Sequence, residues 1–152
     1  RGGPTSLAET ADPGPFEILE ARKLIEGETC ALAAERISDA QLQQLSELVE
    51  AMAEENRQEA VTEEADGRFH CLIAEAAGNS ALTAAITWLW QLRNESEIST
   101  HFHRRLREEG DRPIVADHQK ILDALHARNP AASRQAMVDH LQRVIDHLLE
   151  VL

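Results

Sequence analysis

Aromatic residues and cysteines are scarce in this sequence. Aromatics make up 3% of the 152 residues, with no tyrosine, while hydrophobic residues make up 43%. The apolar content is therefore mostly Ala, Leu, Ile and Val, of which Ala and Leu are the stronger helix formers. The two cysteines, Cys30 and Cys71, lie far apart without CxxC or zinc-finger spacing. They predict reduced, buried thiols of a cytoplasmic protein rather than disulfides.

Long apolar runs and excess positive charge are also missing. No stretch approaches the roughly 20 apolar residues that a membrane-spanning helix needs, and no signal peptide is recognisable. The 15 basic and 27 acidic residues give a net charge of −12, and such a surface repels a phosphate backbone. The longest basic cluster, HRRLR at 103–107, is followed at once by acidic residues, which predicts a solvated helix end. We therefore expect no membrane association and no direct nucleic-acid binding by these residues.

Apolar residues recur at helical spacing along most of the chain, which predicts an all-α protein with a single domain. Short connections between the six expected helices favour an antiparallel bundle. The expected helices cover about 16–37, 38–60, 62–77, 80–108, 114–127 and 130 to the C-terminus. The Gly- and Pro-rich residues 1–14 are expected to be a linker, and residues 15–152 the folded domain.

The seven histidines are the main candidates for chemistry. Four of them are expected to be surface or helix-end residues: His101, His103, His126 and His147. The first two are separated by one residue on a predicted helix, so they point about 200° apart and cannot share a small ligand.

The other three histidines predict a metal site together with one aspartate. His70 follows Asp66 by four residues, so both side chains project from one helix face, one turn apart. His118 and His140 lie on the apolar faces of two later helices. Four such groups are costly to bury unpaired, and a shared cation would satisfy all of them. No HExxH motif, paired ExxH motif, nucleophile elbow or phosphate-binding loop competes with this interpretation.

Three stretches of the chain resemble a known family. They are PFEILEARKLIEGETCALAAERISDAQLQQL, DGRFHCLIAEAAGNSAL and DHQKILDALHARNPAASRQAMVDHL. Together they resemble the FCD effector-binding domain of GntR-type bacterial transcription regulators of the FadR subfamily. The similarity extends over about residues 15–150.

The resemblance implies an antiparallel bundle of six to seven helices around a central metal and ligand pocket. It implies Asp66, His70, His118 and His140 as metal ligands, the same four residues that the helix faces indicate. This donor set suits Zn²⁺, with Ni²⁺ or Mn²⁺ as alternatives. It also implies a homodimer, and a winged helix-turn-helix domain before residues 1–14 that would make the DNA contacts.

The expected effector is a small hydroxy- or keto-carboxylate. LWQLRNESEISTHFH at 89–103 is similar to regulators of hexuronate utilisation, which favours a sugar acid. Arg22 is expected to bind the carboxylate, with an ion pair to Glu26 as the alternative, and Asn94 is expected to bind a hydroxyl. We expect the domain not to be an enzyme. A helical metalloenzyme acting on a small carboxylate and a dimerisation module with a structural metal remain the alternatives.

Overall fold

The computed structural model describes residues 13–60, 63–110 and 112–151, and within these ranges it contains seven α-helices and no strand. The helices are α1 (Pro15–Arg36), α2 (Asp39–Arg57), α3 (Glu64–Ala76), α4 (Ser80–Glu95), α5 (Glu97–Glu108), α6 (Val115–His126) and α7 (Pro130–Glu150). The all-α prediction is confirmed. Of the predicted linker at 1–14, residues 1–12 lie outside the described residues.

Side-chain caps define where several helices begin. The Ser38 hydroxyl accepts a hydrogen bond from the Gln41 amide, and the Gln41 side chain accepts one from the Ser38 amide, which forms a capping box before α2. The Asn79 and Asn129 side chains accept hydrogen bonds from the first turns of α4 and α7. Pro130, at the first position of α7, lacks an amide hydrogen that would have no partner there.

The prediction of one long helix over residues 80–108 is wrong, because the chain breaks at Ser96. This residue has extended backbone angles, ends α4 and begins α5. Its amide donates to the Leu92 carbonyl, while its hydroxyl accepts from the Ser99 amide and caps the next helix. A serine side chain that bonds nearby backbone groups offers them an alternative to continuing a helix. The break at Ser96 thus separates α5, which carries His103, from α4.

Helix α1 lies at the centre of the bundle, against α3, α4, α5, α6 and α7, while α2 packs on α3 and α6. At Gly27 it approaches α7 so closely that a Cβ atom would lie 2.9 Å from the Val138 Cγ2 atom. Gly67 on α3 faces the ring of Trp90, but a Cβ atom there would make an ordinary contact at 3.5 Å. Gly67 is therefore not required by close packing, whereas a side chain at position 27 would have to displace Val138.

The core consists of aliphatic side chains from α1, α2, α3, α6 and α7 around Phe69, which is fully buried. Cys30 is buried in this core and Cys71 is partly buried, both as free thiols. Among the described residues, no helix combines the length and the apolar content that crossing a bilayer requires.

Replacing Ser38 with alanine is expected to lower the free energy of unfolding by about 1 kcal/mol, because the Gln41 amide loses its acceptor. Urea denaturation of the metal-free protein measures this change. Ser80→Ala is the matched control, since Ser80 is exposed on α4 next to the capping Asn79. Equal effects of the two substitutions would contradict the role of the capping box.

Candidate metal centre

Four side chains from three helices meet in the interior of the bundle. Asp66 and His70 come from α3, His118 from α6 and His140 from α7, and all four are buried. One ligand atom from each lies within 4.8 Å of the others. The apolar residues of α3 that surround the first two, among them Phe69, anchor this face of the helix in the core. The structure thus brings together the four residues that the sequence singled out.

The Nδ1 atom of each of these three histidines forms a hydrogen bond with a group outside the four-residue cluster. Nδ1 of His70 lies 2.6 Å from Oε1 of Glu26, and Nδ1 of His118 lies 2.8 Å from the Ile114 carbonyl oxygen. Nδ1 of His140 lies 3.2 Å from Oδ2 of Asp117, which also pairs with Arg143. Carboxylates and carbonyls can only accept, so each Nδ1 donates and each Nε2 presents a lone pair. Such outer partners orient histidine ligands in metal proteins.

The atoms that face the centre are acceptors when each ring is neutral and donates through Nδ1. Nε2 of His118 lies 2.9 Å from Oδ1 of Asp66, and Nε2 of His70 lies 3.2 Å from the same oxygen. The His70 nitrogen is buried without a hydrogen bond to any described residue. When the three rings are neutral, three imidazole lone pairs and a carboxylate therefore converge. A divalent cation fits this donor set, because it supplies the positive charge that these acceptors share.

Burial and neighbouring groups shift the pKa values of the candidate ligands in different directions. Burial alone would raise the pKa of Asp66, but the imidazoles of His118 and His70 beside it hold it well below its usual range. Burial alone would lower the pKa of His70, but the carboxylates of Glu26 and Asp66 raise it, so a cation competes with a proton at this ring. Burial and the nearby His118 ring lower the pKa of His140 to about 4, so this ring is neutral at physiological pH. A carboxylate anion and a neutral imidazole are the forms that bind metal ions.

A cavity adjoins the four residues, with Asp66 and His140 in its wall. The space open to the centres of water molecules is about 60 Å³, which is room for roughly four to six waters. Arg22, Arg93 and His103 also line this cavity. The site therefore combines a buried cluster of acceptors with a small cavity that has positive charge in its wall.

Arg22 forms the ion pair with Glu26 that was the alternative to effector binding, and it also borders the cavity. Its Nε atom donates to Oε2 of Glu26 at 2.7 Å, so the pair within α1 forms. Its guanidinium lies 4.2 Å from the centre of the Trp90 ring, and the side chain borders the cavity. The two terminal nitrogens are then the donors that Arg22 can offer to a ligand.

Asn94 does not line the cavity that Arg22 borders. Its side chain is exposed, accepts a hydrogen bond from Arg93 and borders a separate surface groove. The structure does not bring Asn94 to the cavity that Arg22 lines, so no contact observed here adds to its predicted role.

The expectation that His103 is a surface residue is wrong. His103 is 7% exposed and lines the cavity. Leu106, which lies in the same basic segment, is also buried. Burial and the charges of Arg93 and Arg22 hold the pKa of His103 well below its usual range, so the ring is neutral. The spacing of Ser99, His103 and Leu106 carried the signal, since all three share one helix face.

Most of the chain matches a known family of protein domains. The model of the FCD domain matches residues 17–143. The chain belongs to the FCD family of GntR-type transcription regulators. The chain is 35% identical over 143 residues to the Uxu operon transcriptional regulator of Escherichia coli (strain K12), covering 91% of the chain and 55% of that protein. It is 31% identical over 145 residues to the Uxu operon regulator of Haemophilus influenzae, covering 95% of the chain and 54% of that protein.

A solved structure agrees with this assignment. Streptococcus agalactiae GntR superposes with a TM-score of 0.68 at 26% identity, over 84% of this chain and 55% of that one. The chain thus spans about half the length of the relatives that it matches. These relatives are named as transcription regulators, which agrees with the expectation that the domain is not an enzyme.

Replacing His118 or His140 with alanine is expected to weaken Zn²⁺ binding by at least about 100-fold, because even loss of an outer partner typically costs 10- to 100-fold. Competition with a chromophoric chelator measures the affinity. His126→Ala is the matched control, since His126 is exposed at the end of α6. Full metal content in both ligand variants would show that the metal site is wrongly assigned.

Proposed function

We propose that this domain senses a small carboxylate for a transcription regulator, with a divalent metal ion held by Asp66, His70, His118 and His140. The observation that carries the proposal is the convergence of four buried acceptors beside a cavity lined by Arg22. A bound ion, Zn²⁺ in preference to Ni²⁺ or Mn²⁺, would supply positive charge and coordination positions for ligand oxygens.

Arg22 is the residue that we assign to the effector carboxylate. A guanidinium donates two parallel hydrogen bonds to a carboxylate, and burial strengthens such charged hydrogen bonds. Arg22 is 3% exposed, and stacking on Trp90 fixes the plane of its guanidinium. The arginine is therefore held in place before a ligand arrives, which reduces the entropy lost on binding.

We further propose a sugar acid as the effector. The cavity is also lined by neutral His103 and by the carboxyl group of Glu63, which suit hydroxyl groups. The relatives named as Uxu operon regulators agree with the resemblance of residues 89–103 to regulators of hexuronate utilisation. A hexuronate such as galacturonate or glucuronate combines a carboxylate with several hydroxyls.

In this proposal the effector acts on DNA binding indirectly. With a net charge of −12, these residues do not attract DNA, so the contacts would come from a separate domain of a cytoplasmic homodimer. A ligand that binds one arrangement of the helices better than another shifts the population toward it. The placement of the DNA-binding domains would change with that shift.

Thermal melting of the zinc-loaded protein tests the effector. A sugar acid at 100 times its Kd stabilises by about 2.7 kcal/mol, which corresponds to a rise in Tm of about 5–10 °C for a domain of this size. Neutral galactose should give no shift, and Arg22→Met should abolish the response to the acid. The control is Arg104→Met, since Arg104 is exposed on α5.

If no hydroxy acid raises the Tm of the zinc-loaded protein, a structural metal in a dimerisation module is favoured instead. Conversion of the acid during incubation would favour the metalloenzyme.

The role of His103 is tested separately. His103→Phe should weaken sugar-acid binding about 3- to 10-fold, because one neutral hydrogen bond is lost. His103→Gln keeps a neutral donor and acceptor and should bind close to the wild type. Isothermal titration with galacturonate measures both. Equal affinity in the Phe and Gln variants would remove His103 from the effector site.

A further inference from the structure

Glu26 connects two groups that have separate tasks in the proposed function. Its Oε1 atom accepts from Nδ1 of His70 at 2.6 Å, and its Oε2 atom accepts from Nε of Arg22 at 2.7 Å. It is not one of the four candidate ligands, and it does not line the cavity. One carboxylate thus bridges a candidate metal ligand and the arginine assigned to the effector.

This bridge is isolated from water. Glu26 is 2% exposed, Arg22 3% and His70 1%. In such surroundings the two hydrogen bonds share one negative charge with little screening, so strengthening one weakens the other. Each oxygen of Glu26 accepts a hydrogen bond, one from His70 and one from Arg22, as an ionised carboxylate does.

Trp90 limits the alternatives available to Arg22. The guanidinium lies 4.2 Å from the centre of the indole, and the His70 ring lies 5.2 Å from the same ring system. Arg22 is therefore stacked beside the ligand that Glu26 orients. A change at His70 is transmitted to Arg22 through the Glu26 hydrogen bonds rather than by a swing of the arginine away from the site.

We propose that Glu26 is a positioning residue that couples metal binding at His70 to carboxylate binding at Arg22. The inference rests on the metal site of the proposed function. When Nε2 of His70 donates its lone pair to a cation, Nδ1–H becomes a stronger donor to Glu26. Arg22 then shares less of the carboxylate charge and offers more positive charge to a ligand. Because binding linkage is reciprocal, a carboxylate on Arg22 strengthens metal binding by the same factor.

The decisive experiment measures Zn²⁺ affinity, with no organic ligand present, in a cycle of Glu26→Gln, Arg22→Met and the double variant. Glu26→Gln alone should weaken binding about 10- to 100-fold. If the two residues act independently, the fold-changes of the single variants multiply to give that of the double variant. We expect a departure of at least fivefold, because removing Arg22 releases charge toward His70 only when Glu26 is ionised.

The direct repulsion between Arg22 and the cation is present in both backgrounds, so it cancels in this cycle. The matched control pairs Arg22→Met with Glu28→Gln, since Glu28 lies on the same helix, exposed and paired with Arg134. That control cycle should close. Closure of the Glu26 cycle within twofold would overturn the coupling.

A second measurement is made on the wild-type protein, and a variant serves only to identify the signal. The Nε–H resonance of Arg22 in the wild-type protein, identified by its loss in Arg22→Lys, should move when Zn²⁺ is added. Arg93 provides an internal comparison, because its guanidinium lies 4.8 Å from the centre of the same indole and its ion-pair partner is Glu63. A stationary Arg22 signal, or equal movement of both signals, would overturn the coupling.

Both measurements separate this inference from the proposed function. A protein that binds no sugar acid but shows the coupled cycle refutes the effector and keeps the role of Glu26. A protein that binds a sugar acid but gives a closed cycle refutes the role of Glu26 alone. Failure of the wild-type protein to bind Zn²⁺ would refute both.

Discussion

The arrangement of the site depends on the hydrogen bonds that orient three imidazole rings through their Nδ1 atoms. Each Nδ1 atom donates to an acceptor that comes from outside the four-residue cluster: Glu26 on α1, the Ile114 carbonyl before α6, and Asp117 on α6. These bonds turn the Nε2 lone pairs toward one point. Burying lone pairs against a carboxylate is unfavourable without positive charge, so the fold stabilises the very arrangement that a cation would complete.

The central position of α1 follows from this constraint. The helix contacts all the helices that carry the cluster and the cavity, and two successive turns hold Arg22 and Glu26. A single i,i+4 pair on α1 therefore reaches both a candidate ligand on α3 and the cavity wall. The same pair would contribute little on a solvent-exposed helix, and only its burial makes it an electrostatic link.

The sequence predicted six helical segments and the four clustered residues because both follow from local spacing, but it did not predict the break at Ser96 that divides residues 80–108 into α4 and α5. Asp66 and His70 lie one turn apart, and the apolar neighbours of His118 and His140 indicate inward faces. The partners of these residues could not be predicted, since Glu26 lies 44 residues from His70 and its contact depends on how the helices pack. His103 was missed because the basic residues beside it were interpreted as a solvated helix end, although Ser99, His103 and Leu106 share one helix face.

The close approach at Gly27 has a mechanical consequence. Glu26 precedes this glycine on α1, and Val138, which faces it on α7, lies two residues before His140. The Val138 methyl group fills the space that a Cβ atom at position 27 would need, so no larger residue fits there without displacing it. Such a displacement would occur one residue from Glu26 and two residues from His140. A substitution at Gly27 would therefore disturb the candidate metal centre, although the glycine is not one of its ligands.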